Sequence, residues 1–252
     1  MKKISHPYGR TPRPRWGSKV DKFLKGNRLS TIDRAAFRYR LFFTYIIHYT
    51  LYITLVSCSP DEKKLPIYGE RDTAERVING KTITDTIYNT IPNFKFVSQN
   101  SDTITAKNFE NVIYIADFFF VSCPTICPVM KRNMLKVYKQ IKGQNDIKIL
   151  SHTIDPEHDT PQVLKKYATD LGVSGTQWLF VTGKKEDIYK IGQKNYMVVA
   201  NEDSTALGGY IHSGAFILVD KKKQVRGVYD GTKEEGIEKM MADIEILRKE
   251  YR

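Results

Sequence analysis

The chain is poor in cysteine, with three in 252 residues: Cys58, Cys123 and Cys127. That count excludes a disulfide scaffold, and a domain of this length buries an adequate core without one. Proline is missing from the last third, since Pro161 is the final one of ten. No loop or strand beyond it can be shaped by a proline. A long hydrophobic run is also lacking. The most apolar stretch, residues 41–57, holds 17 residues, below the ~20 that span a bilayer comfortably. Net basic charge is scarce outside the N-terminus. Residues 1–57 carry 12 Lys/Arg against 2 Asp/Glu, whereas residues 58–252 carry 28 against 26. The formal charge of +12 is therefore a property of the leader, and the remainder has no electrostatic footprint for nucleic acid. No internal repeat is visible.

What the leader does contain is a targeting pattern. Arg34, Arg38 and Arg40 precede LFFTYIIHYTLYITLVS, which has no acidic or basic residue apart from a titratable His48. A positive flank, an apolar stretch and a small residue make a membrane-targeting segment, and the basic side held inside sends the rest of the chain outward. Leu55-Val56-Ser57-Cys58 resembles the lipobox of bacterial lipoproteins, in which the cysteine takes a diacylglyceryl group. Two acyl chains anchor stably where one is marginal. An uncleaved signal anchor is the alternative. Either reading places the chain at the extracytoplasmic face of a bacterial membrane. Forty residues ahead of the apolar stretch are long for a signal peptide, and the next methionine is Met130. This points to a translation start later than residue 1, so residues 1–40 are set aside as a basic extension. Residues 41–57 then form the signal or anchor, 58–80 a polar tether, and 81–252 the folded domain.

Within that domain, strand and helix patterns alternate. VIYIADFFF at 112–120 is a β-branched and aromatic run of the kind found in a buried central strand. Val129, Met134, Leu135, Val137, Tyr138 and Ile141 predict a helix over 128–141. A strand is expected at 147–154. Thr160 and Pro161 suit the cap and first position of a helix that Gly172 closes. A short strand at 177–181, a helix at 184–194, a hairpin at 215–219 and 225–229, and a closing helix at 232–249 complete the series. The expected class is α/β and thioredoxin-like, a central mixed β-sheet flanked by helices, although the pattern alone leaves other α/β folds open.

The sequence Cys123-Pro-Thr-Ile-Cys127-Pro falls where the first strand hands over to its helix. Unpaired N–H groups and the helix dipole favour thiolate there. Four-residue spacing puts both sulfurs on one face. Such a pair closes as a disulfide or clamps a soft metal, Cu(I) or zinc. His212, in the glycine-rich stretch GGYIHSG before the strand at 215, supplies a neutral imidazole, and in a thioredoxin-like order that loop faces the dithiol. Two thiolates and an imidazole suit copper. A rival site, the carboxylate-rich IDPEHD between His152 and Asp159, reads better as ordinary Asp-Pro turn chemistry.

CPTICP after an aromatic strand, IDPEHDTPQVLKKYA, and IHS before a later strand together resemble the Sco/SenC proteins, over about residues 85–250. That family comprises copper-binding, thioredoxin-fold assembly factors of cytochrome c oxidase. The resemblance implies copper as Cu(I) or Cu(II), held by Cys123, Cys127 and His212. It also implies a partner in the oxidase subunit that carries CuA, or another copper protein, and no small-molecule substrate. Two positions depart from the family pattern: His158 stands where Arg is common, and Ile211 where an Asp often precedes the histidine. The latter removes an acidic neighbour that would orient the imidazole and affects affinity.

Three functions follow. The first is a copper chaperone. The second is a membrane-tethered thiol-disulfide oxidoreductase that reduces a partner's cysteines. The third, a peroxidase-like thiol enzyme, is distant. Oxidoreductases of the thioredoxin type use Cys-x-x-Cys and a cis-proline opposite it. Here the spacing is one residue longer and no proline follows Pro161. His212 stands in that place, which favours ligand capture.

Overall fold

The computed structural model describes residues 39–40, 42–46, 48, 63–198, 200–202 and 210–252, with backbone alone over 200–202 and 210–212. The chain divides into two units, residues 1–61 and 62–252. Of the first, only short helical pieces are described. Among the described residues no helix is long and apolar enough to cross a membrane. Most of the 41–57 segment, and the expected lipidation site Cys58, lie outside the described residues.

The second unit begins with a hairpin, β1 (Arg71–Ile78) and β2 (Lys81–Tyr88). The sequence predicts an irregular tether as far as Gly80, and the structure differs. Every residue of β1 is exposed, so no apolar alternation marks the strand. The turn chemistry does mark it: Asn79 and Gly80 take φ of 53° and 73°, the left-handed pair that a two-residue hairpin requires.

The strands β3 (Lys95–Ser98), β4 (Thr103–Thr105), β5 (Ile113–Phe119), β6 (Ile147–Thr153) and β7 (Trp178–Thr182) follow, then β8 (Ala200–Glu202), β9 (Tyr210–His212), β10 (Ala215–Val219) and β11 (Val225–Asp230). The helices are α1 (Cys127–Ile141), α2 (Pro161–Asp170), α3 (Lys185–Lys194) and α4 (Glu234–Glu250). Seven strands form one sheet in the order β11-β10-β5-β6-β7-β3-β4. The β5–β6–β7 core is parallel, and β10 joins β5 antiparallel. This is the thioredoxin-like mixed sheet expected from the sequence.

The central strand explains itself. All seven residues of β5 are buried, as parallel strands covered on both faces must be. Thr160 caps α2 by accepting from the Val163 N–H at 3.4 Å, with Pro161 in the first turn, and Gly172 turns the chain away at φ 70°. Helix α4 packs on β11 and on α1. Its last turn is held by Arg226, whose buried guanidinium donates to Asp220 at 2.9 Å, to Glu250 at 2.7 Å and to the Leu65 carbonyl at 2.6 Å. A buried cation survives only with its donors matched in this way.

Candidate metal centre

Strand β5 ends at Phe119 and α1 begins at Cys127, so the loop between them carries Cys123 at its middle and Cys127 at its end. The Cys123 N–H donates to the Phe120 carbonyl at 3.3 Å, which folds the loop back on itself. The structure brings Cys123 and Cys127 together without a disulfide. Both are buried, at 7% and 5% exposure, while Ser122, Pro124 and Thr125 around them are exposed. The pair therefore lies just under the surface.

The two thiols are not equivalent. Burial pushes Cys123 up, but hydrogen bonds from Cys127 and from Thr125 overcome it, and its thiol ends below the ordinary value. The Thr125 hydroxyl lies 3.6 Å from its sulfur. Cys127 is raised well above the ordinary range, first by burial and then by its hydrogen bond with Cys123. The two thiols are thus polarised, Cys123 being the more acidic and Cys127 the one that holds its proton more tightly.

Below Cys127 lies a group that the sequence reading missed. Cys127, Asp117, Ser151, Tyr167 and Trp178 line one cavity of about 10 Å³, room for no more than a single water. The Ser151 hydroxyl donates to the buried Asp117 carboxylate, and the Trp178 indole N–H donates to Ser151 at 2.8 Å. Desolvation is the larger influence on Asp117, and with Ser151 only partly opposing it the carboxyl is pushed up to about 7. The available signal was an aspartate inside the apolar run VIYIADFFF.

His212 ends β9, paired with Ala200 of β8. The sequence places it in a glycine-rich loop, and the structure places it on a short two-stranded ribbon separate from the main sheet. Its imidazole lies outside the described side chains. Two residues on, the backbone is fixed. A Cβ at Gly214 would sit 3.6 Å from Ile126 Cδ1, and Ile126 immediately precedes Cys127. Two residues of chain span at most ~7 Å, so the His212 backbone lies within that distance of Gly214. The Ser213 hydroxyl between them is buried and finds no partner among the described residues.

The rival histidines do not converge. His152 is fully buried, stacked on Phe118 at 4.9 Å and edge-on to Phe96 at 5.2 Å. Desolvation pushes it down to about 3, so it stays neutral. His158 is exposed and bonds the Asp155 carboxylate at 2.8 Å. Asp155–Thr160 is a turn held by the Asp159 N–H on the Asp155 carbonyl at 2.9 Å. Among the described residues no three His, Cys, Asp or Glu side chains gather as a metal site.

The family described as SCO1/SenC matches residues 84–248. A "SCO1 protein homolog" of Bacillus subtilis is 29% identical over 167 residues, covering 66% of this chain and 86% of the relative. The crystal structure of a SCO1/SenC family lipoprotein from Bacillus anthracis is similar at 28% identity and a TM-score of 0.59, covering 64% of this chain and 95% of that one. A structure of BsSco, a member of the Sco family of cytochrome c oxidase assembly proteins in which a disulfide switch is identified, is similar at 28% identity and a TM-score of 0.56, covering 63% and 93%.

Proposed function

We propose that this chain, which belongs to the SCO1/SenC family, is a copper-binding metallochaperone that holds its cargo through Cys123, Cys127 and His212. The observation that carries this reading is the pair of buried, unbridged thiols between β5 and the first turn of α1, with Gly214 close to Ile126 of their loop. The donor set suits the cargo. Thiolates are soft ligands that select Cu(I), and an imidazole extends the set towards Cu(II). Cys123 offers the more acidic thiol. Cys127 gives up its proton on loading, so uptake releases protons and strengthens with pH. The proposed recipient is the oxidase subunit that carries CuA. The B. anthracis relative is a lipoprotein, which supports lipid attachment at Cys58 and an extracytoplasmic, membrane-held position here.

An anaerobic titration of the reduced chain with copper, counting alkylatable thiols, tests the reading. One copper bound with both thiols protected is the expected result. His212→Ala should weaken Cu(II) by about tenfold or more and Cu(I) by less, because the two sulfurs alone still suit the softer ion. Equal affinities in wild type and variant would remove the histidine from the donor set.

The same polarisation supports a second reading, a thiol-disulfide oxidoreductase in which Cys123 attacks a partner's disulfide and Cys127 resolves it. Fast reduction of a disulfide substrate by a chain that protects no thiol from alkylation on copper addition would favour it.

A further inference from the structure

The turn Asp155–Thr160 takes no part in the donor set, yet it grips the loop that does. The β5–β6 ladder closes at Phe119 and Thr153, with a last rung from the Ile154 N–H to the Phe119 carbonyl at 2.8 Å. Beyond that rung the strands part, β5 towards Cys123 and β6 into the turn. The Val121 N–H would then have no ladder partner. Asp159 supplies one: its Oδ2 accepts from Val121 at 3.1 Å and from the Thr153 hydroxyl at 2.5 Å.

The acceptor is itself held on several sides. Asp159 is 2% exposed. Its turn is closed by the Asp155 N–H donating to Thr153 Oγ1 at 3.0 Å and by the Thr160 N–H donating to the His158 carbonyl at 2.9 Å. Tyr189, on α3, donates its hydroxyl to the Ile154 carbonyl at 2.8 Å. A carboxylate fixed by strand, turn and helix thus meets the backbone two residues before Cys123.

We propose that Asp159 is a positioning residue for the dithiol. Its carboxylate takes over from the sheet where β5 ends and sets the course of the loop that carries Cys123 to Cys127. This rests on the copper reading for its functional meaning, but its geometry concerns the sulfurs alone. Loop course sets how readily the two sulfurs reach bonding distance, so it sets the balance between dithiol and disulfide.

The test is the dithiol–disulfide equilibrium of the full chain against a redox buffer without metal. Asp159→Ala should change the equilibrium constant by about tenfold or more, about 30 mV. Asp159→Asn keeps a carbonyl acceptor for Val121 and should stay within about twofold. Thr153→Val removes the other bond to the carboxylate and also the acceptor of the Asp155 N–H, while the bond from Val121 to Asp159 stays. It should lower thermal stability yet also leave the constant within about twofold, because Val121 keeps its partner. An unchanged constant in Asp159→Ala, or an equal change in Thr153→Val, overturns the proposal. Should Asp159→Ala not fold, hydrogen exchange in the wild-type chain decides: a protected Val121 amide supports the bond and a rapidly exchanging one refutes it. No copper enters these measurements. A chain that binds no copper but shows the Asp159→Ala change defeats only the chaperone reading. One that binds copper without the change defeats only the positioning role.

Discussion

Cys123→Ser and Cys127→Ser are each expected to abolish tight binding of both Cu(I) and Cu(II). A serine hydroxyl does not ionise near neutral pH and is a hard, weak donor for a soft ion, so each change removes one of two thiolates outright. Disturbing the groups that merely orient metal ligands already costs ~10–100-fold. Losing one of the two thiolates should exceed ~100-fold. Cys123→Ser leaves only the thiol that burial holds in its protonated form, so its residual binding should rise with pH. Competition against a chromophoric copper chelator at several pH values measures both effects. Affinity within tenfold of wild type in either variant would contradict the site.

The second large effect concerns stability. Asp117 titrates near 7 in the folded chain against an ordinary 3.8. Between those values the unfolded chain has lost its proton while the folded chain retains it. The folded state binds more protons there, so stability falls as pH rises through the window, and the whole penalty is present above it. At 1.36 kcal/mol per pH unit, the penalty is on the order of 4 kcal/mol as an upper bound. Asn carries no charge and still accepts from Ser151. Asp117→Asn should match wild type near pH 4 and exceed it by about 2–4 kcal/mol near pH 7.5. Urea unfolding of the reduced, metal-depleted chain at the two pH values checks this. Identical pH dependence in the two proteins would show that Asp117 ionises normally.

Most of the scaffold was legible in the sequence because its core elements advertise themselves. The run predicted at 112–120 is β5 at Ile113–Phe119, and the helix predicted at 128–141 is α1 at Cys127–Ile141. Thr160, Pro161 and Gly172 mark α2 as read. The misses have two causes. The β1 strand has no buried face, so periodicity could not reveal it, and β3, β4, β8 and β9 span only three or four residues each. The Asp117 cluster draws on three strands. Asp117 stands opposite Ser151 across a parallel pair, and Trp178 comes from the next strand. Register between strands separated by a helical crossover is a tertiary property that no local pattern encodes. Cysteine spacing, by contrast, is local, and the dithiol was read directly from it.

Gly231 joins the helix that begins with Cys127 to the segment that follows His212. Its N–H donates to the Gly214 carbonyl at 2.7 Å, and its own carbonyl accepts from Asn133 of α1 at 2.9 Å. A side chain there would collide with Phe216 at 2.7 Å and with the Gly214 carbonyl at 2.9 Å. That helix and that segment are therefore riveted through one small residue that lies outside the proposed donor set. Swapping a donor atom leaves that rivet in place, so lost affinity in a donor variant reports missing chemistry at an unaltered span.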